Sequence, residues 1–565
     1  MREAFNYLVA NLLWISSGWQ KTRAFHAALR RPRATQEGRL ISLLKQNARS
    51  DYGRRYAFER VRSIREFQDA VPIVTYDSLG EEIEAIKRGR ERVLTEEPVL
   101  WLEKTTGSTG AAKYIPYTAN LKREFQAAVA PWMADLYRHR RKMLLGGSYW
   151  SITPLAAVPE VTQGGLRVGC DDEREYFGKL DRKLLDRLIL VPAELAKVSD
   201  VESGRYVTLR FLLETPRLAF ISVWNPSFLT LLVGLLEEHG ARLIEDIRRG
   251  TLTPPRALPS HLHASLARGL APRPSRAREL EEILRRLGKL APIEVWPKLS
   301  LISCWASGNA RNFLPELQSL FPGVEIQPKG LLATEGVVSI PILGHPGGAL
   351  ALTSHFFEFI PEGGSRARPL LADELDNGQI YKVLLTTGGG LYRYDLGDWI
   401  QVVGYVGETP LVEFIGKESA VSDLCGEKLH AARVETALGA ALAEFRLTPS
   451  FAMLAPEWGW PPRYCLLIEA SGVSADILAQ LADRLDELLR EGHHYAYCRR
   501  LGQLGPLQAL PVRDGARRYL ERCVALGQRL GSIKPTALHC KPGWSVWFER
   551  AAGDRDGNVH EPLHI

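Results

Sequence analysis

Thr105-Thr106-Gly107-Ser108-Thr109-Gly110-Ala111-Ala112-Lys113 is the stretch on which the reading of this chain turns. Its two glycines permit tight backbone turns, and hydroxyls stand at Thr105, Thr106, Ser108 and Thr109. Phosphate oxygens need many donors, and backbone N–H groups with hydroxyls supply them. Gly110 and Lys113 do not meet the G-x-x-x-x-G-K-[ST] spacing, so this is not a Walker A loop. Val99–Leu102 before it reads as a strand, and Thr118 after it caps a long helix with a kink expected at Pro131. Strand, hydroxyl-rich loop, Lys113 and helix together point to phosphate binding.

Working outward, residues 1 to about 95 read as short helices, with Leu40, Leu43, Leu44 and Ala48 on one buried face. The apolar run Tyr7–Ile15 is interrupted by Asn11 and follows Glu3, which favours a docking helix over a signal peptide. Between Leu218 and Val403, strands are expected at Leu218–Trp224, Leu299–Trp305, Val324–Gln327, Leu350–Ile360 and Gln379–Leu385. Helices are expected at Phe228–Glu238 and Ser275–Leu287, the second stopped by Gly288. This alternation predicts an α/β fold: a large multi-layer N-terminal domain with a mostly parallel sheet plus a barrel-like part. The end of the chain reads differently. Strands at Phe451–Leu454 and Tyr464–Glu469, a helix capped by Ser474, a strand at Leu507–Val512 and a helix at Gly515–Leu526 predict a smaller α+β domain. The expected division is 1–416 and 417–565.

The 565 residues are 45% hydrophobic and 24% charged, which excludes a disordered chain, a collagen-like repeat and a small disulfide scaffold. The net charge of +7 lies wholly in the first 416 residues, because the last 149 hold 18 basic and 18 acidic side chains. Much of it sits in Lys21–Arg62 and reads as a solvated helix face, with no other feature of a nucleic-acid partner. No apolar run is long enough to span a bilayer. The seven cysteines contain no CxxC pair, which argues against a zinc knuckle and fits a cytoplasmic, reducing compartment.

Three more segments complete a pattern: Leu331-Leu332-Ala333-Thr334-Glu335-Gly336, Tyr392-Arg393-Tyr394-Asp395-Leu396-Gly397-Asp398 and Gly531-Ser532-Ile533-Lys534-Pro535. Each is unremarkable alone; their order in one chain resembles the adenylate-forming superfamily. Within it the chain is similar, over nearly its whole length, to the acyl acid–amido synthetases of the plant auxin-responsive family, in a bacterial-like form. Val223–Phe228, Cys304–Gly308, Phe356–Phe359 and His494–Leu507 share the likeness.

The resemblance implies an ATP- and Mg²⁺-dependent ligase acting on a small carboxylic acid and an amino acid. Thr105, Thr106, Gly107, Ser108, Thr109 and Gly110 would form the phosphate loop. Thr334 would contact the α-phosphate and Glu335 would hold Mg²⁺, a hard ion that prefers oxygen ligands. Asp398 would accept both ribose hydroxyls, as a carboxylate with two acceptor oxygens can. Lys534, on a mobile C-terminal lid, would neutralise charge at the α-phosphate, and Lys417–Asp423 falls where the family hinges. Two departures stand out. Leu331 occupies the place of an adenine-stacking aromatic, and Pro535-Thr536 replaces a longer segment after the lysine. Two other readings therefore stand beside the first: a ligase whose acceptor is the thiol of coenzyme A, and a silent binding protein that keeps the fold. Trp132, Trp224 and Trp305 belong either to the core or to an aromatic acyl pocket.

Overall fold

The computed structural model describes residues 2–106, 112–152, 160–170, 173–362, 368–417, 421–422, 424–425, 427, 429–526, 528 and 533–553. The chain forms two compact units, one comprising Met1–Ser307 and Leu317–Ile415, the other Gly308–Glu316, Gly416–Gln528 and the residues from Ile533 on.

The first unit opens on the helix Arg2–Ser17. Asn11, the residue that breaks its apolar run, is what docks it. Its amide donates to the Leu144 and Gly146 carbonyls at 3.1 and 3.2 Å, and its oxygen accepts from the Tyr137 hydroxyl at 2.8 Å. A buried amide is tolerable only when satisfied in this way. Among the described residues no helix is long and apolar enough to cross a membrane.

Three larger sheets organise this unit, one of them four-stranded and holding Trp101–Thr106 and Ala112–Tyr117. Gly147–Trp150, Leu218–Ser222, Leu301–Cys304 and Glu325–Pro328 run side by side, all parallel. Helices fill the crossovers, as parallel strands require. Pro226–Arg249, longer than expected, starts on Asn225, whose side chain accepts from Ser227 N–H, and stops at Gly250 in the left-handed region, φ 71°. The antiparallel addition is a six-stranded sheet ordered Ser339–Pro341, Gly348–Leu350, Thr409–Lys417, Tyr394–Val406, Ile380–Thr386, Phe356–Pro361. The single strand expected at Leu350–Ile360 is two strands, ending at Leu350 and resuming at Phe356. Between them the chain turns so that His355 is buried.

Motif residues also serve the core. Arg393 donates to Glu358 from Nε at 3.0 Å and to the Gln68 and Val71 carbonyls from Nη1 at 2.7 and 2.6 Å. Burial raises the Glu358 carboxyl pKa, and the guanidinium opposes that shift.

In the second unit Phe451–Glu457 pairs antiparallel with Arg463–Glu469, which pairs in parallel with Gln508–Pro511. The helix Ala475–Arg490 begins on Ser474 as expected. Its buried Asp486 accepts from Tyr495 at 2.7 Å and from Arg499 at 3.0 Å, and Arg499 reaches the Leu504 carbonyl. The Tyr495–Leu507 motif is therefore a structural network. A last helix, Trp544–Gly553, has no counterpart in the sequence reading.

Two groups here couple stability to pH in opposite senses. Burial lowers the His539 imidazole pKa from 6.5 to about 4. Between those values the unfolded chain binds a proton that the folded chain does not, so this contribution to stability rises with pH. Burial raises the Glu435 carboxyl pKa from 4.5 to about 7, with Arg311 pulling it down, so its contribution falls as pH rises through that window. His539→Asn should flatten the acid-side loss of stability between pH 6.5 and 4, measured by denaturant unfolding at successive pH values. An unchanged slope would refute the buried neutral imidazole.

Candidate active site

The two ends of the stretch Thr105–Lys113 belong to paired strands. Trp101–Thr106 pairs antiparallel with Ala112–Tyr117, Thr105 opposite Lys113 and Thr106 opposite Ala112. Thr105 and Thr106 thus form the backbone end of the first strand, whereas Gly107, Ser108, Thr109 and Gly110 lie outside the described residues. Lys113 starts back along the second strand. Its ammonium donates to the Tyr394 hydroxyl at 3.3 Å and lies 5.7 and 5.9 Å from the Tyr76 and Tyr394 ring centres.

Thr334 and Glu335 are the two turn residues between the short strands Leu332–Ala333 and Gly336–Val337. The Tyr117 hydroxyl donates to the Thr334 carbonyl at 2.8 Å. Glu335 is only 6% exposed. The turn is braced from behind: Val337 N–H donates to His355 Nε2 at 3.0 Å. That leaves the proton on Nδ1, which meets Glu124 Oε2 at 3.0 Å. The two carboxylate oxygens of Glu124 also accept from Gly388 N–H at 2.8 and 2.9 Å, and Arg39 pairs with the same group. Gly336 is required here, because a Cβ would stand 2.8 Å from His355 Nε2.

Asp398 lies on a distorted stretch of its strand. Lys382 faces Trp399 and Leu384 faces Asp395, so Val383 alone spans Leu396, Gly397 and Asp398. Gly397 absorbs the bend with φ 71° and donates its N–H to Asp395 Oδ1 at 3.0 Å. Lys382 pairs with Asp395 Oδ2 at 3.2 Å. Asp398 itself is 1% exposed.

Tyr394 is the meeting point. Burial raises its phenol pKa far above the ordinary value, and the charges of Glu335, Asp395 and Asp398 add to the shift. Tyr117 is raised likewise, by burial first and then by neighbours that include Glu335. Both phenols therefore remain O–H donors throughout the neutral range. Lys113, the Thr-Glu turn and the aspartate segment thus share one neighbourhood. The sequence reading assigned no role to Tyr394, Tyr117, Glu124 or Lys329. Tyr394 lay within a quoted motif; the others carried no local signal.

The remaining expectations divide. Leu331 is built into the hydrophobic core. Trp132 is buried, and Trp224 and Trp305 are half-buried with ring centres 5.8 Å apart. Lys534, in the second unit, is exposed, and its carbonyl accepts from the Tyr519 hydroxyl at 2.9 Å. Gly531 and Ser532 beside it, and residues 418–420 and 423 of the expected hinge, lie outside the described residues.

This fold is shared with a solved acyl acid amido synthetase. The structure of GH3.15 acyl acid amido synthetase in complex with 2,4-DB aligns with a TM-score of 0.81 at 19% identity, covering 95% of this chain and 96% of that one. Residues 21–326 match the GH3 family N-terminal domain, 348–417 the GH3 family central domain and 429–541 the GH3 family C-terminal domain. The chain belongs to the GH3 family. Among curated relatives, the indole-3-acetic acid-amido synthetase GH3.10 of Arabidopsis thaliana is 25% identical, over 83% of this chain and 85% of its own length. The jasmonoyl–L-amino acid synthetase JAR6 of Nicotiana attenuata is 23% identical, over 88% and 90%.

Removing the brace should cost the first unit its order. Glu124→Ala strands His355, the Gly388 N–H and Arg39 around a buried gap, at a cost of about 3–5 kcal/mol. Denaturant unfolding followed by near-UV circular dichroism would measure it, with Glu124→Gln losing less because one acceptor oxygen survives. A wild-type midpoint for the alanine variant would contradict this role.

Proposed function

We propose that this protein is an ATP-dependent acyl acid–amido synthetase: it joins a small carboxylic acid to AMP with release of pyrophosphate, then transfers the acyl group to an amino acid. The observation that carries the reading is the convergence of Lys113, Glu335 and Asp398 on Tyr394 in a chain of this family. The synthetase activities named for its relatives support the reaction class.

A carboxylate does not react with an amine near neutral pH, because its leaving group is poor. Activation requires two anions, the acid and a triphosphate, to be held together while charge builds at the α-phosphate. In this reading the residues from Thr105 to Gly110 bind the phosphates. Thr334 offers its hydroxyl to the α-phosphate. Asp398 accepts the two ribose hydroxyls, and its near-complete burial keeps that pairing dry and strong. Lys113 and the Tyr394 hydroxyl add donors, while the Tyr117 hydroxyl holds the Thr334 carbonyl. Lys534 belongs to the C-terminal unit, which acts as the lid that delivers positive charge and excludes water.

Mg²⁺ fits this donor set. Glu335 is a buried carboxylate on a two-residue turn beside phenol O–H donors, and a hard oxygen ligand shared with phosphates is how Mg²⁺ is usually held. When bound, the ion would neutralise phosphate charge. No protein nucleophile is needed. Buried Cys304, its thiol pKa raised to about 12, is unsuited to be one. None of the seven cysteines forms a disulfide, which supports a reducing, cytoplasmic location.

The deciding experiment is a pyrophosphate-release screen of small carboxylic acids crossed with amino acids and, separately, with coenzyme A, with products identified by mass. Amides support the proposal. Thioesters, or nucleotide binding without pyrophosphate release, would replace it with one of the rival readings. Asp398→Ala should weaken ATP binding at least tenfold, and unchanged affinity would remove its ribose role. Lys534→Ala should slow pyrophosphate release by two orders of magnitude or more with little change in ATP affinity. A defect confined to amide formation would contradict that assignment.

A further inference from the structure

The four parallel strands end together, and ligands of open α/β sheets bind beyond such carboxyl ends. Three of those ends extend the ladder by a residue or two: Trp305 N–H donates to the Trp224 carbonyl at 2.8 Å, and Lys329 N–H to the Cys304 carbonyl at 2.8 Å. Trp224, Trp305 and Lys329 therefore stand side by side on the sheet edge.

The Lys329 ammonium is held in a fixed place. It donates to Ser222 Oγ at 2.7 Å and lies 4.9 Å from the Trp224 ring centre and 5.1 Å from that of Trp132. Trp132 is locked in turn by its N–H, which donates to Gln327 Oε1 at 3.0 Å. An indole face attracts a cation through the negative charge of its ring face. Trp224 and Trp305 are half-buried, so this aromatic wall with a cation set into it reaches the surface.

Lys329 lies five residues before Thr334, at most ~17 Å away along the chain. Its ammonium turns to Ser222 and the indoles, whereas the Thr334 turn is tied to Tyr117. The two clusters are therefore separate, one held by Ser222 and the indoles and the other by Tyr117.

We propose that Lys329 and its tryptophans bind the far end of the acyl substrate and select an acid with a flat, unsaturated body and a second anionic oxygen group remote from the reacting carboxylate. This rests on the adenylation reading for the near end. The indoles provide flat apolar contact, and the ammonium pairs with the second group, which costs most to bury when unpaired. Lys329 is thus a specificity residue, distinct from the Thr334–Glu335 chemistry.

The test compares benzoate, phenylacetate and cinnamate, each against its 4-carboxy derivative, by pyrophosphate release from the full-length enzyme. For at least one pair the dicarboxylate should have a KM about tenfold or more lower in the wild type. Lys329→Met should collapse that ratio to within twofold, Lys329→Arg should keep part of it, and the KM for ATP should stay within twofold. Lys329→Gln, which can still bond Ser222, checks the result if the methionine variant melts early. A wild-type preference for the monocarboxylates, or a ratio that survives Lys329→Met, would overturn the proposal. So would equal loss of all the acids in the variant, which would assign the lysine to the reacting carboxylate. If the wild type releases no pyrophosphate, tryptophan fluorescence titrated with the same acids without ATP separates the two ideas. Quenching by a dicarboxylate that disappears in Lys329→Met upholds the lysine site while the adenylation reading fails, and absence of quenching in the wild type overturns the site itself.

Discussion

One buried carboxylate, that of Glu124, fixes the geometry on which the candidate site depends. It sits in the second turn of the helix Ala119–His139 and meets three otherwise separate parts of the first unit: Arg39 from the N-terminal helices, His355 from behind the Thr334–Glu335 turn, and the Gly388 N–H from the loop leading to the Asp398 strand. A buried charge is costly unless paired and fully hydrogen-bonded. In this arrangement all three partners satisfy the one carboxylate. His355 passes the constraint on, since its second nitrogen holds Val337 N–H and so the hairpin that carries Glu335.

The site built on this frame gathers negative charge around phenols. Glu335, Asp395 and Asp398 all act on Tyr394, yet burial alone already holds its proton. A phenol so placed keeps its O–H, with no competing ionised form near neutral pH. Lys382 answers part of the carboxylate charge through Asp395. The pattern suits a site that receives a polyanion together with its counter-ions, because an acidic pocket alone would repel a triphosphate and a basic one would hold it too long after reaction.

Much of this was legible from local chemistry. Thr118 and Ser474 announce helix starts because a side-chain oxygen meets a backbone N–H three residues on. Gly288 announces a helix end because φ near +70° excludes most side chains. The Thr-Glu and Tyr-to-Asp motifs carry their chemistry in residue type and order. The single strand expected at Leu350–Ile360 became two because an apolar run does not reveal a turn made to bury a histidine. The displaced Asp398 was equally hidden, since a two-residue slip in strand register depends on the partner strand and not on the sequence around Gly397.

By itself, then, the sequence determined the elements, the family and the kinds of group available for chemistry. These depend on interactions within a few residues or on motifs short enough to be read whole. Tertiary structure alone decided that Glu124 is a keystone and not one more helical surface glutamate, that Tyr394 is the common neighbour of three motifs, and that Lys329 lies between two indoles. The partners of Glu124 are 85, 231 and 264 positions away. No local pattern encodes a contact across such distances; only the closing of the core, which forces each buried polar atom to find a partner, brings it about.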